Sequence, residues 1–531
     1  MIRSILLLIL LAVPSWAQSP SSPIEPLPGP LVLFGGGAMP DEVRSAFLEL
    51  AGRDKAKLVV VPTADPQSDM ALPEKQWLDE WNQNGAKATI SLLHAKTQKQ
   101  ADDTAFVKPL TEATAVWFCD GDPARLISRY RGTAFEKELH KLHRRGGVIG
   151  GASLASGFPG NGNGEAQNRN PSAKESTGSQ FLPGFVVESH YLKRNRKARL
   201  IGLLDRQAGS VGLGIDEGTA AIVTGRTIRA VGSSTVTVIL SPGANRPRGE
   251  TTLNHGKIAD LMQLRRAAAN RAAAKPFPPR VVAEPRVPKG NLVIVGGGGL
   301  PAEITNRFFE LAGGKDALLV VIPTAQEDPQ VADHPEEKLF RRLGATNVKT
   351  LHTRNRSEAN DPEFSKVLLD AKAVWFGGGR HWRFADSYEG TLTEERFHGV
   401  LARGGIIGGS SAGASIQAEF MPRGHPLGNT IVDAEGYERG FGFLPGVAVD
   451  QHFFARRRTK DMTGLMTQFP QYLGIGIDEA TAIVVHESRA EVIGKSKVAF
   501  YDYKKGKPKG ERDYVEVPSG ESYDLKTRQK Q

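Results

Sequence analysis

Cys119 is the only cysteine in 531 residues, which excludes an intramolecular disulfide and with it the small stapled scaffolds common among secreted domains. Paired-cysteine spacings and His-Glu-x-x-His are missing too, so the sequence supports no metal site and calls for no cofactor. The dinucleotide fingerprint fails at Gly35-Gly36-Gly37-Ala38-Met39-Pro40, whose last position is proline. Gly494-Lys495-Ser496 fails as a phosphate-binding loop because Arg489 stands where its first glycine is required. Aromatic residues make up only 7% of the chain and do not interleave with its basic stretches, which argues against nucleic acid as a partner. The net charge of +10 is scattered and reads as a solvated surface.

Long apolar runs are lacking except at the N-terminus. There Arg3 precedes an apolar run over residues 5–13, and Ser15-Trp16-Ala17 supplies small residues for cleavage before Gln18. This pattern predicts a signal peptide over 1–17, and the run is too short for a stable membrane anchor. The mature chain is expected to be soluble and secreted or periplasmic, an N-terminal anchor or buried helix being the alternative.

What the chain does have is an internal duplication. Leu31-Val-Leu-Phe-Gly-Gly-Gly-Ala-Met-Pro40 returns as Leu292-Val-Ile-Val-Gly-Gly-Gly-Gly-Leu-Pro301, and Ala115-Val-Trp-Phe118 as Ala373-Val-Trp-Phe376. Phe181-Leu-Pro-Gly184 matches Phe443-Leu-Pro-Gly446, and Gly212-Leu-Gly-Ile-Asp-Glu-Gly-Thr-Ala220 matches Gly474-Ile-Gly-Ile-Asp-Glu-Ala-Thr-Ala482. The offset stays at about 260 residues, so the repeat is a whole domain and not a solenoid unit. The expected division is a first domain over 30–245, a Pro/Ala/Arg-rich linker over 246–289 with an exposed helix over 258–274, a second domain over 290–505 and a basic tail over 506–531. Within each copy, unalternating β-branched runs separated by amphipathic segments predict a parallel sheet covered on both faces. Ligand chemistry in such folds sits at the carboxyl ends of strands, where the glycine clusters fall.

Three stretches of the second copy carry chemistry. Gly409-Ser410-Ser411-Ala412-Gly413 follows an apolar run, and a Gly-x-Ser-x-Gly turn between strand and helix exposes the serine Oγ beside a free backbone N–H. Val449-Asp450-Gln451-His452-Phe453 leads into Arg456-Arg457-Arg458, and Gly474-Ile-Gly-Ile-Asp478-Glu479 ends a strand in an acidic pair. Serine needs a neighbouring base, usually a histidine oriented by a carboxylate. Taken singly, His452 also reads as a half-buried structural histidine and Glu479 as a helix-cap partner.

Together these motifs resemble the S51 serine peptidases, the cyanophycinase-like group in particular. The resemblance covers both copies and implies two tandem flavodoxin-like, class I glutamine-amidotransferase-like αβα sandwiches with mainly parallel sheets. It implies Ser411 as nucleophile, His452 as base and Glu479 as the orienting carboxylate. An oxyanion hole of Gly378, Gly379 and the Ala412 N–H follows, with His381, Gln451, Arg456 and Arg458 at the substrate. For Arg456 and Arg458 a surface or internal ion pair is the competing reading. The chain departs from the family pattern at Arg380-His381, where Asp-Gln is typical, and at Lys460-Asp461-Met462, where the basic run ends Gly-Arg-Leu. Both departures bear on substrate recognition.

The first copy keeps Ser153, His190 and Glu217, with Arg194, Arg196 and Arg199. Its elbow reads Gly151-Ala152-Ser153-Leu154-Ala155, however, and Cys119-Asp120-Gly121 replaces the oxyanion glycines. Leu154 crowds the turn and an Asp120 carboxylate repels a forming oxyanion, so this copy reads as impaired. The stretch over 157–180 reads as a surface loop. The function expected is an exported serine hydrolase of peptide or isopeptide bonds, acting on a peptide or cyanophycin-like polymer. The alternatives are a noncatalytic ligand-binding or scaffold protein, an aspartyl dipeptidase, and a glutamine amidotransferase, whose elbow normally carries cysteine. The two domains are expected to pair as an intramolecular pseudo-dimer.

Overall fold

The computed structural model describes residues 26–70, 73–81, 88–152, 181–327, 331 and 334–531. The expected signal peptide, Ser153 and the loop over 157–180 lie outside the described residues. The chain divides into two compact units between Pro279 and Arg280, and both are flavodoxin-like α/β units, the fold class that the sequence implies.

In the second unit the strands Val348–Thr350, Leu319–Ile322, Ala373–Phe376, Ile406–Ser410 and Val287–Val295 lie side by side in parallel. Antiparallel strands from Thr481–Glu487 onward extend this sheet to nine. Its strands are apolar without alternation because both faces are covered. Val293, Val295 and Trp375 face the helices Ala302–Ala312 and Pro335–Arg342, where Phe308 and Phe340 meet the Trp375 ring edge-on at 5.1 and 5.2 Å. Such aromatic pairs add about 0.5–1.5 kcal/mol each beyond the area they bury. Leu292, Ile294 and Phe376 face the other way, toward a core shared with a second sheet of five strands. That sheet includes Leu444–Asp450 and Leu473–Ile477, a parallel pair whose carboxyl ends carry the histidine and acidic motifs.

The first unit repeats the plan with sheets of eight and four strands. Leu31–Phe34 pairs in parallel with Val148–Gly151, and Phe185–Glu188 with Val211–Ile215. Phe47 and Trp81 pack on Trp117 at 5.0 and 5.1 Å, as Phe308 and Phe340 pack on Trp375. The second sheet of each unit was not foreseen from the sequence.

Two expected boundaries are corrected. Residues 246–289 are not simply a linker: Gly249–Leu253 joins the small sheet of the first unit, Ile258–Asp260 its large one, and helix Leu261–Ala272 buries Leu261, Leu264, Ala267 and Ala268 in the core. The alanines that suggested an exposed helix instead let it approach the sheets closely, and Asp260 caps it by accepting from Gln263 N–H at 2.8 Å. Residues 506–531 are not a loose tail either. Val515–Pro518 and Ser522–Asp524 are strands of the second unit, and the buried Tyr523 stacks on Phe500 at 3.9 Å. The lysines of this stretch hid its short alternating runs.

Candidate active site

Ser411 follows the strand Ile406–Ser410 and precedes the short helix Ala412–Ser415. Its backbone sits at φ +56°, ψ −109°, a sparsely populated conformation that for a non-glycine residue stores strain. The neighbouring chain enforces this turn: Ser411 N–H donates to Val295 O at 3.0 Å, and Ala414 N–H to Ser411 O at 2.9 Å. Gly413 permits it, since a Cβ there would stand 1.9 Å from the Phe376 carbonyl oxygen. Ala412 N–H has no hydrogen-bond partner among the described residues.

His452 follows Leu444–Asp450, also at positive φ (+50°), with its N–H donating to Gly296 O at 2.7 Å. Its Nε2 lies 2.9 Å from Ser411 Oγ and its Nδ1 2.6 Å from Glu479 Oε1. With the proton on Nδ1 donated to Glu479, Nε2 is left to accept from the serine hydroxyl. Burial holds His452 below the ordinary histidine value, the Glu479 bond opposing it and Arg456 adding to it. Asp478 takes a separate role. It accepts Phe454 N–H at 3.1 Å, Ala455 N–H at 2.9 Å and Ser496 O–H at 2.7 Å, and so fixes the turn that follows His452. The acidic pair therefore divides its labour, Glu479 holding the ring and Asp478 the backbone.

The expected substrate residues fare differently. His381 is a correction: its Nε2 bonds to Pro422 O at 2.9 Å, and complete burial pushes it down to about 3, so it is a neutral interior group. Arg458 is also turned inward, donating to Asp450 Oδ1 at 2.9 Å, Gln451 O at 2.7 Å and Gln451 Oε1 at 3.1 Å. Gln451, itself buried, thus has its side-chain oxygen committed to Arg458. Arg456 remains exposed beside the site, its N–H donating to His452 O at 3.0 Å. At the glycines, Gly378 N–H is directed at Glu336 Oε1, 3.3 Å away, and Gly379 is exposed at φ +141°.

The departures at Arg380, His381 and Asp461 converge on one segment, residues 422–425. Arg380 donates to His425 O, His381 bonds to Pro422 O, and Arg423 donates to Asp461 Oδ2 at 2.7 Å and to both Asp450 oxygens at 3.1 Å. Arg423 thus supplies a guanidinium beside Asp450. In the first unit Arg199, in register with Asp461, does this for Glu188 at 2.5 Å. No spacing in the sequence announces Arg423 or Glu336.

In the first unit His190 keeps its Nδ1 contact with Glu217 Oε1 at 2.8 Å, but its Nε2 faces Asp120 Oδ2 at 3.3 Å. Asp120 is in register with Gly378, so a carboxylate stands where the second unit has that glycine.

The sequence profile of peptidase family S51 matches residues 31–231 and again 292–493. The chain belongs to peptidase family S51. A cyanophycinase of Geminocystis herdmanii (strain PCC 6308) is 33% identical over 206 residues, 38% of this chain and 75% of that protein. A cyanophycinase of Nostoc sp. is 30% identical over 228 residues, 41% of this chain and 75% of the relative. Among solved structures, a peptidase from an acI-B1 actinobacterium is 25% identical at a TM-score of 0.35, covering 44% of this chain and 97% of its own.

Proposed function

We propose that this S51 protein is an exported serine hydrolase whose second unit cleaves peptide or isopeptide bonds through Ser411, His452 and Glu479. The observation that carries this reading is the continuous relay from Ser411 Oγ through the His452 ring to Glu479, at 2.9 and 2.6 Å. His452 takes the hydroxyl proton as Ser411 attacks the carbonyl carbon, and Glu479 stabilises the imidazolium. The tetrahedral oxyanion is met by Ala412 N–H and by the glycine segment at Gly378. Collapse of this intermediate passes the proton from His452 to the leaving amine and leaves an acyl-Ser411. Water, deprotonated by the same histidine, then releases the acid.

Export rests on Arg3, the apolar run over 5–13 and Ala17. No described helix is long and apolar enough to cross a membrane.

The substrate class is supported by the relatives named as cyanophycinases and by the exposed Arg456, which offers a cation to a substrate carboxylate. Incubation with cyanophycin and, separately, with short aspartyl peptides, followed by mass spectrometry of the products, tests the assignment. Release of free acid from either class supports it, and no product from both contradicts it.

A further inference from the structure

The glycine donor of the second unit is already engaged. Gly378 N–H donates to Glu336 Oε1 at 3.3 Å, while Glu336 Oε2 is closed off from water and has no hydrogen-bond partner among the described residues. The carboxyl lies against the glycine backbone: a Cβ on Gly377 would stand 2.3 Å from Oε2 and 2.7 Å from Oε1. Gly377 therefore gives the acid its space. The first unit differs, with Cys119 at the position of Gly377 and Trp77 in register with Glu336, and the partly buried Glu80 near the Cys119 thiol. That register is fixed by Trp81 and Phe340, each one helical turn further on, which pack on Trp117 and Trp375.

We propose that Glu336 is a positioning residue that gates the oxyanion donor: as a carboxylate it retains the Gly378 N–H and places negative charge beside the acyl oxygen, and as a neutral acid it releases that N–H for catalysis. This rests on the hydrolytic reading of Ser411. A hydrogen bond to an ionised acceptor is about twice as strong as one to a neutral acceptor, so ionisation of Glu336 withholds the donor. The same charge opposes the developing oxyanion in a site of low dielectric.

Burial pushes Glu336 up to about 7, the Gly378 bond opposing it, and no neighbouring charge enters. On its own helix Glu337 turns to Arg341 and Thr350, at 2.8 and 2.6 Å. His334, held below its ordinary value by burial, accepts Glu336 N–H at Nδ1, 3.2 Å away. On the glycine segment Arg380 is committed to His425 O. Since His452 is also held below the ordinary histidine value, it becomes a competent base in mild acid. The window in which base and gate are both ready lies between the lowered His452 value and about 7.

The full chain tests this through the second-order rate at which diisopropyl fluorophosphate modifies Ser411, measured from about pH 5 to about pH 9. The wild-type rate is expected to rise as His452 deprotonates and to fall about tenfold or more between pH 7 and pH 9. Glu336→Gln, neutral throughout, is expected to keep the acid limb and lose the alkaline fall, and Glu336→Ala serves as a second uncharged variant should the first not fold. An alkaline fall retained in the folded uncharged variant overturns the gate. So does loss of modification at every pH in a variant with unchanged melting temperature. Absence of Ser411 modification in the wild-type chain at every pH overturns the serine reading itself and the gate with it.

Discussion

Asp120 places a carboxylate oxygen 3.3 Å from His190 Nε2, on the imidazole nitrogen that in the second unit faces Ser411 Oγ at 2.9 Å. The histidine of the first unit is thus bracketed by two acids, Asp120 and Glu217, and the Asp120 carboxylate lies on the ring nitrogen that in the second unit is left to the serine hydroxyl. The expected outcome is that a serine-reactive phosphonate labels one residue per chain, Ser411, as read by intact mass and peptide mapping. Two labels per chain would show that the first unit also carries a working nucleophile.

Arg423 joins Asp450, buried at 2% side-chain exposure, to Asp461 at the site edge. Arg423→Ala leaves Asp450 with Arg458 as its remaining guanidinium, and loss of one partner from a buried ion pair typically costs about 3–5 kcal/mol. Thermal unfolding is expected to show a melting temperature lowered by several degrees. Adding Asp461→Arg, which reproduces the first-unit pairing of Arg199 with Glu188, is expected to recover part of the loss. No recovery would mean that the backbone at Arg423, at φ +65°, matters more than its charge.

Glu394 accepts Gly390 N–H at 2.5 Å, and complete burial pushes it up to about 8 from an ordinary value of 4.5. The folded chain therefore holds a proton that the unfolded chain has released, and stability falls as pH rises from about 4.5 to about 8. Glu394→Gln removes that slope. Its melting temperature is expected to exceed that of the wild type in mild alkali and to differ little in mild acid. Parallel curves for the two proteins would contradict the assignment.

Asp478 holds the turn after His452 through two backbone N–H groups. Asp478→Ala is expected to slow Ser411 labelling about 10- to 100-fold with little change in probe binding, because misplacing a reacting group by about 1 Å has costs of that size. A normal labelling rate would show that Glu479 alone orients the ring.

Periodicity and the repeated motifs made the layered α/β plan and its duplication legible, because strands buried on both faces leave continuous apolar runs such as Leu292-Val-Ile-Val295 and its counterpart Leu31-Val-Leu-Phe34. The three motifs of the second unit could be read because each ends a strand, and strand ends converge. What stayed hidden was held by long-range pairing. The strand Val515–Pro518 is disguised by the lysine-rich run over 504–509 before it, and the alanines of Leu261–Ala272 resemble a linker until sheets lie against them. Arg458 and His381 look like substrate groups in sequence, but Asp450 and Pro422 O claim them. Glu336 leaves no local mark, since its role depends on the bare backbone of Gly377, reached only after the sheet has formed.

The most direct measurement of the central claim compares wild type and Ser411→Ala in the turnover of cyanophycin and aspartyl peptides, with thermal unfolding as the control for folding. The account predicts a melting temperature close to that of the wild type and a rate lower by about four to six powers of ten, the loss typical of a triad nucleophile. A folded Ser411→Ala chain that turns over either substrate at the wild-type rate would contradict it.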